Sequence, residues 1–378
     1  MTITGPCNAP DGVDVVALGE SMVTFLPSRP GRLADVPSFE RAIGGAESNV
    51  ACGLAAAGHT VRWVSRVGAD GFGDHLIEAI GAYGVDVSAV RRDPARPTGV
   101  YFRTAGDRAT DAHEVAYYRA GSAASAMSVA NMDLAAARSG RVLHLSGITA
   151  ALSDGCRELM RELTAPGEGR PLVSFDVNHR SGLWRDAGGP RVLLELARGA
   201  DVVFVGEDEA EEAWGITGGP DAVRAALPEP RVLVVKQGGA GATAFVSAAG
   251  SSWPVAQFPA PLESAQSRRP ATAPGTAEPT AYVPAPRVQV VAATGAGDAF
   301  AAGFLSATLR GLSPRDRLRH GHLWAAATLT APGDLAAPPT RDTADRLAAL
   351  DDAGWEKLRL GPGWTKAIER ADEEVPTP

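Results

Sequence analysis

Short runs of apolar, β-branched residues recur along the chain, separated by stretches with helical spacing. Val13–Leu18 (VDVVAL) ends in Gly19 and predicts a buried strand. Glu47–Ala57 (ESNVACGLAAA) has helical spacing and stops at Gly58, a residue that readily closes a helix. Val61–Val67 predicts a strand, and Phe72–Tyr83 a helix ended by Gly84. Gly99–Arg103 and Val115–Arg119 read as short strands rich in Tyr, Phe and Val. Val142–Leu145, Pro171–Asp176, Val202–Val205 and Val232–Val235 are further apolar strands, with helices such as Asp154–Leu163 between them. Arg287–Val291 resumes a strand, and helices follow at about 299–310, 315–331 and 342–351. Strands alternating with helices predict an α/β protein whose mostly parallel sheet is covered on both faces. Two stretches break the rhythm. Residues 1–12 are polar with Pro and Gly and read as a flexible tail, and Pro259–Pro286 has no periodicity and reads as a loop or insertion.

Composition narrows the class. A length of 378 residues suggests two to three domains. Lys+Arg number 36 against 44 Asp+Glu, a net charge of −8 that argues against an overall basic surface for nucleic acid. Apolar residues at 45% and charged residues at 21% are ordinary globular usage, enough for a large core. There are 43 Gly and 28 Pro, a surplus that fits either Gly-rich functional loops or a low-complexity stretch. Cys7, Cys52 and Cys156 lie far apart and suit neither a disulfide framework nor a zinc site, and His113 and His144 show no metal-ligand spacing. The first residues, MTITGPCNAPDGVD, lack the charged and apolar regions of a secretory signal, and there is no long apolar run of membrane-span length. The expectation is a cytoplasmic protein with no nucleic-acid or membrane partner.

The sharpest chemical feature is Thr294-Gly295-Ala296-Gly297-Asp298, placed between a strand and a helix. Two glycines allow a tight turn that converges several N–H groups at the positive end of the next helix, a ready anion site. Asp298 falls in the first turn. A carboxylate beside such a site suits phosphoryl transfer, accepting a proton from an attacking hydroxyl while the N–H groups stabilise the moving phosphoryl. Alone, the motif favours an ordinary helix start. The chain carries neither a P-loop signature nor the dinucleotide fingerprint of dehydrogenases.

A second cluster, Gly44-Gly45-Ala46-Glu47-Ser48-Asn49-Val50-Ala51, opens a helix. Together with the GAGD stretch it resembles the paired signatures of the ribokinase-like (phosphofructokinase-B) sugar kinases. Ser146-Gly147-Ile148, Asp176–Arg180, the acidic run Glu207–Glu212 and Lys236-Gln237-Gly238-Gly239-Ala240-Gly241 match in order between them. The resemblance implies one kinase domain over residues 13–360, a three-layer α/β sandwich, with a small β-sheet lid from residues of about 20–42 and 99–119 and a C-terminal tail from 361 to 378. It implies ATP and Mg²⁺, with Asp298 as base and the backbone of Gly295, Ala296 and Gly297 as anion hole. Lys236, Gly238, Gly241, Thr294 and His322 would border the nucleotide, and Glu209 would organise Mg²⁺ through water.

The details look most like 2-keto-3-deoxygluconate kinases, with Gly45, Asn49, Tyr101, Tyr117, Arg119, Ile148 and Arg180 as contacts to the sugar acid. A carboxylate substrate calls for arginine, whose planar fork pairs with it. The product would be 2-keto-3-deoxy-6-phosphogluconate. A fructokinase, ribokinase or 5-dehydro-2-deoxygluconokinase remains open, as does a non-catalytic sugar- or nucleotide-binding regulator. One of Tyr117 and Tyr118 is expected to pack the sheet, because neighbouring strand residues face opposite ways. The plain alternative for Arg180 is a surface or structural arginine, and His322 equally suits a helix-surface histidine. Ala292 and Ala293 stand where the family often has an aspartate tied to a monovalent cation, which counts against K⁺ activation. Gly206 replaces the usual first Asn of the acidic motif, and His322 a usual Asn near adenine. An open lid sheet with free edges suggests a homodimer or higher homo-oligomer.

Overall fold

The apolar runs line up as the strands of one sheet in a computed structural model, which describes residues 12–104, 114–167, 169–184, 188–247 and 280–366. In chain order the strands are β1 (Val13–Leu18), β2 (Met22–Pro27), β3 (Phe39–Gly44), β4 (Val61–Val64), β5 (Arg66–Gly68), β6 (Arg91–Asp93), β7 (Val100–Arg103) and β8 (Val115–Tyr118). There follow β9 (Gly140–Ser146), β10 (Leu172–Asp176), β11 (Val202–Gly206), β12 (Val232–Lys236), β13 (Gly241–Val246) and β14 (Thr280–Pro284). The central sheet runs β14-β13-β12-β11-β10-β9-β1-β4. It is parallel from β12 to β4, and β13 and β14 add antiparallel at one edge.

Alternation along each strand feeds two cores. Val15, Ala17 and Phe204 pack with the helices Ala46–Ala56, Ala296–Leu309 and Pro314–Leu329 on one face. Val16, Leu18, Val203 and Val205 pack with Asp154–Thr164 and Gly189–Gly199 on the other. This is why the inner strands read as continuous apolar runs: both of their faces are buried. Among the described residues no helix is long and apolar enough to cross a membrane.

A second, four-stranded sheet, β3-β2-β7-β8, forms the expected lid. Its two faces differ. Phe25 stacks on Phe102 at 4.6 Å, with Phe39, Phe72 and Tyr118 edge-on around them. Tyr101 and Tyr117, 5.4 Å apart, belong to the opposite face. Tyr117 and Tyr118 thus divide as strand alternation requires.

Several boundaries need correction. The strand expected over 61–67 breaks at Ser65 into β4 and β5, which join different sheets. The strand expected over Arg287–Val291 covers only Arg287–Val288, which pairs with Arg359–Leu360. The last seven residues of the expected 259–286 insertion are described, and five of them are β14, paired along the whole of β13 except its last residue. Residues 259–279, and residues 1–11 of the expected 1–12 tail, lie outside the described residues. The expected C-terminal tail starts too early, because Trp364 is buried in the same core as Trp355.

Candidate active site

A cleft of about 410 Å³ lies between the lid and the C-terminal ends of the central strands. That end of an open α/β sheet is where ligands bind, because the chain leaves each strand there in a loop free to vary. Each wall is built by a strand or helix terminus. Glu20 follows β1, Ile148 follows β9, Asp176 ends β10 and Lys236 ends β12. Gly45 and Asn49 come from the start of the helix Ala46–Ala56, and Glu209 from the helix Glu207–Trp214 after β11. Tyr101, Arg103, Tyr117 and Arg119 close the cleft from the lid.

Thr294, Gly295, Gly297 and Asp298 form the floor. Gly295 has φ +79°, a left-handed turn that aims the helix Ala296–Leu309 at the cleft. A side chain there would also meet the Asp334 carbonyl oxygen at 1.9 Å, so two constraints demand glycine. The N–H groups of Ala296, Gly297 and Asp298 have no carbonyl one turn earlier in the helix to bond, and the first such bond runs from Ala299 N to Gly295 O. Lys236 Nζ would stand 3.7 Å from a Cβ on Gly297, which places an ammonium beside those groups.

Asp298 is half-buried at the cleft floor, and Asn49 Nδ2 donates to its Oδ2 at 2.8 Å. Burial pushes its carboxyl up to about 7; the Asn49 bond pulls down, Asp176 pushes up, and Lys236 and Arg180 pull down. Lys236 Nζ donates to both oxygens of Asp176 at 3.1 and 3.2 Å. Burial works against its charge, but Asp176, Glu209 and Asp298 outweigh it and hold its pKa above the ordinary value. A protonated lysine and a carboxyl poised near neutrality therefore share one floor.

The sugar-side arginines are already partnered. Arg119 pairs with buried Glu20, whose Oε1 also accepts from Ser122 Oγ at 2.9 Å, and its guanidinium lies 5.7 Å from the Tyr117 ring centre. Arg103 pairs with Asp334 at 2.9 Å, and Tyr101 donates to the same carboxylate. Arg180 reaches Glu209 at 3.3 Å, but its side chain is 56% exposed, the most open of the three. Beneath them Glu47 is raised to about 8 by burial, with Thr149 donating to it at 2.7 Å.

Among the described residues no group of three or more His, Cys, Asp or Glu forms a metal cage. A hydrated Mg²⁺ needs less, because it keeps several of its waters. Glu209 Oε2 accepts from Gly206 N at 2.7 Å, which orients it at the cleft edge. Asn178 Oδ1 is buried without a hydrogen-bond partner, on a residue at φ +41°. These two oxygen donors fit water-mediated binding of the ion. Ala292 and Ala293 also line the cleft and carry no side-chain oxygen.

Most of the expected residues line the cleft, Ala296 sits between the lining residues Gly295 and Gly297, and three lie elsewhere. His322 lies in the core, accepted by Val283 O at 3.1 Å, 5.2 Å from the Phe300 ring, and depressed to about 4 by burial. Gly238 sits in the β12–β13 hairpin at φ +57°. Gly241 opens β13, where a Cβ would strike Val283 O at 2.4 Å. Glu20, Arg103, Asp176, Asn178 and Asp334 line the cleft without having been assigned a role from sequence. Arg103 was legible by period two from Tyr101; Asp334, in a loop after a helix, carries no local signal.

Comparison with known proteins agrees with this geometry. The model of the pfkB family of carbohydrate kinases matches residues 13–261 and 275–341. A 2-dehydro-3-deoxygluconokinase of Bacillus subtilis is 33% identical over 337 residues, covering 87% of this chain and 94% of its own. A probable chloroplastic fructokinase-6 of Arabidopsis thaliana is 28% identical over 344 residues, covering 87% and 80%. A putative ribokinase II from E. coli, solved with ATP and Mg²⁺, has a TM-score of 0.72 at 21% identity and covers 88% of this chain and 98% of that one. The chain belongs to the pfkB family of carbohydrate kinases, with its ribokinase-like fold, and is a phosphotransferase that acts on a sugar hydroxyl.

Proposed function

We propose that the acceptor is a 2-keto-3-deoxy sugar acid, 2-keto-3-deoxygluconate first among them, phosphorylated by ATP on its terminal primary hydroxyl. The observation that carries this reading is Arg180, an open cation on the same cleft as Asp298. Its planar fork suits the substrate carboxylate. The resemblance to 2-dehydro-3-deoxygluconokinase points the same way.

In this reading Asp298 takes the proton of the primary hydroxyl as the oxygen attacks the γ-phosphorus. The bond from that phosphorus to the bridging oxygen of ADP breaks, ADP leaves, and the proton stays on Asp298 until product departs. The N–H groups of Ala296 and Gly297 and the Lys236 ammonium meet the charge on the moving phosphoryl. Glu209 and Asn178 would hold Mg²⁺ through water, and the ion would offset phosphate charge. Tyr101, Tyr117 and the lid exclude water that would otherwise accept the phosphoryl.

A neutral hexose is the second reading. Arg103, Arg119 and Arg180 each already face a carboxylate, which suits an acceptor that brings no charge. A panel of neutral sugars and 2-keto sugar acids with ATP and Mg²⁺, read as ADP release, decides between them. A higher kcat/KM for fructose than for every sugar acid would reject the first reading.

A further inference from the structure

We infer that Arg103 is a positioning residue that ties the lid to the phosphate loop, and that phosphoryl transfer depends on its bond to Thr294. The inference rests on the reading of Asp298 and its loop given above. Arg103 is the last residue of β7, and its side chain is 6% exposed. One guanidinium nitrogen lies 2.9 Å from Asp334 Oδ1, and another donates to Thr294 Oγ1 at 3.3 Å. Thr294 directly precedes Gly295. Asp334 reaches the same glycine from the other side, because its carbonyl oxygen occupies the space a side chain on Gly295 would need. Tyr101, on the same face of β7, donates to the Asp334 carboxylate.

One lid strand therefore grips both neighbours of the glycine whose turn starts the anion-binding helix. The link joins residues 191 apart in sequence, so nothing local supplies it. A loop so held presents its N–H groups in one arrangement only when β7 is seated. The lid then acts as more than a water shield: its seating sets the geometry on which transfer depends. Loss of the bond should slow the chemical step more than it weakens acceptor binding, since Arg103 is not among the expected sugar contacts and all of those but Tyr101 come from elements other than β7.

The test is a double-mutant cycle on Arg103→Met and Thr294→Val, with kcat and acceptor KM measured on whichever acceptor the wild type uses best. Each single variant should lower kcat by about tenfold and move KM by less than about threefold. The double variant should fall no more than about twofold below the worse single. Thr294→Ser, which keeps the hydroxyl, should restore most of kcat. Multiplicative losses, or a change in KM with kcat intact, would overturn the coupling. If Arg103→Met does not fold, an unchanged kcat in Thr294→Val overturns it alone. A wild type that prefers fructose rejects the sugar-acid reading while leaving the cycle to be read on fructose.

Discussion

Asn49 holds Asp298 by a 2.8 Å hydrogen bond that spans 249 residues of sequence. The bond occupies Oδ2 and joins the starts of two helices, Ala46–Ala56 and Ala296–Leu309, at one point of the cleft. It also favours the ionised carboxylate against the burial that opposes it. Replacing Asn49 by Ala should raise the Asp298 pKa, move the acid limb of the pH–rate profile upward and lower kcat near neutrality. An unmoved acid limb in steady-state profiles would separate the two residues functionally.

Removing the base itself should be more severe. Asp298→Asn keeps the shape and the Asn49 contact, so ATP and sugar should still bind by calorimetry. Turnover should fall by about 10²–10⁴, the usual worth of a positioned base. Retention of wild-type kcat would remove Asp298 from the mechanism.

The raised carboxyls have two pH consequences of opposite sense. A base with a pKa of about 7 is competent only when ionised, so kcat/KM of the free enzyme should rise with pH through that value. Stability should move the other way. Between the ordinary 3.8 and about 7 for Asp298, and between 4.5 and about 8 for Glu47, the native state keeps protons that the unfolded chain has lost. The unfolding free energy contributed by these groups should therefore decline as pH climbs through that window. Urea titrations at a series of pH values should show the decline, flattened in a Glu47→Gln Asp298→Asn double variant.

The arginines should separate binding from folding. Arg180→Met, at an open side chain, should raise KM for a sugar acid about tenfold or more, with little effect on thermal stability and little on a neutral sugar. Arg119→Ala strands the Glu20 carboxylate, whose side chain is 1% exposed, and should cost about 3–5 kcal/mol. Equal melting temperatures for the two variants would contradict this division.

Two thiols should stay silent in the native protein. Burial pushes Cys52 up to about 12 and Cys156 up to about 11, and neither is exposed. A thiol reagent should label them only on unfolding, which peptide mass mapping with and without denaturant would show.

Much of this was legible because the responsible residues act locally. The inner strands announce themselves as apolar runs, and Gly295 through Asp298 make a turn, an anion site and a carboxylate within four positions. What escaped depends on partners far away. Thr280–Pro284 is a strand because β13 offers an edge, not because TAYVP among prolines reads as one. His322 looks like a ligand in one dimension, yet three-dimensional packing turns it towards Val283 O and Phe300. The acids that neutralise the cleft arginines belong to three separate elements, so the sequence advertises the cations and hides their pairing.

The antiparallel β13–β14 pair sets Phe245 directly beside Thr280. The chain leaves and re-enters the sheet one strand spacing apart, about 4.8 Å. For an engineer that edge is a socket. A reporter domain with neighbouring termini can be grafted there, or the stretch replaced by a two-residue hairpin, without moving any strand that feeds the cleft.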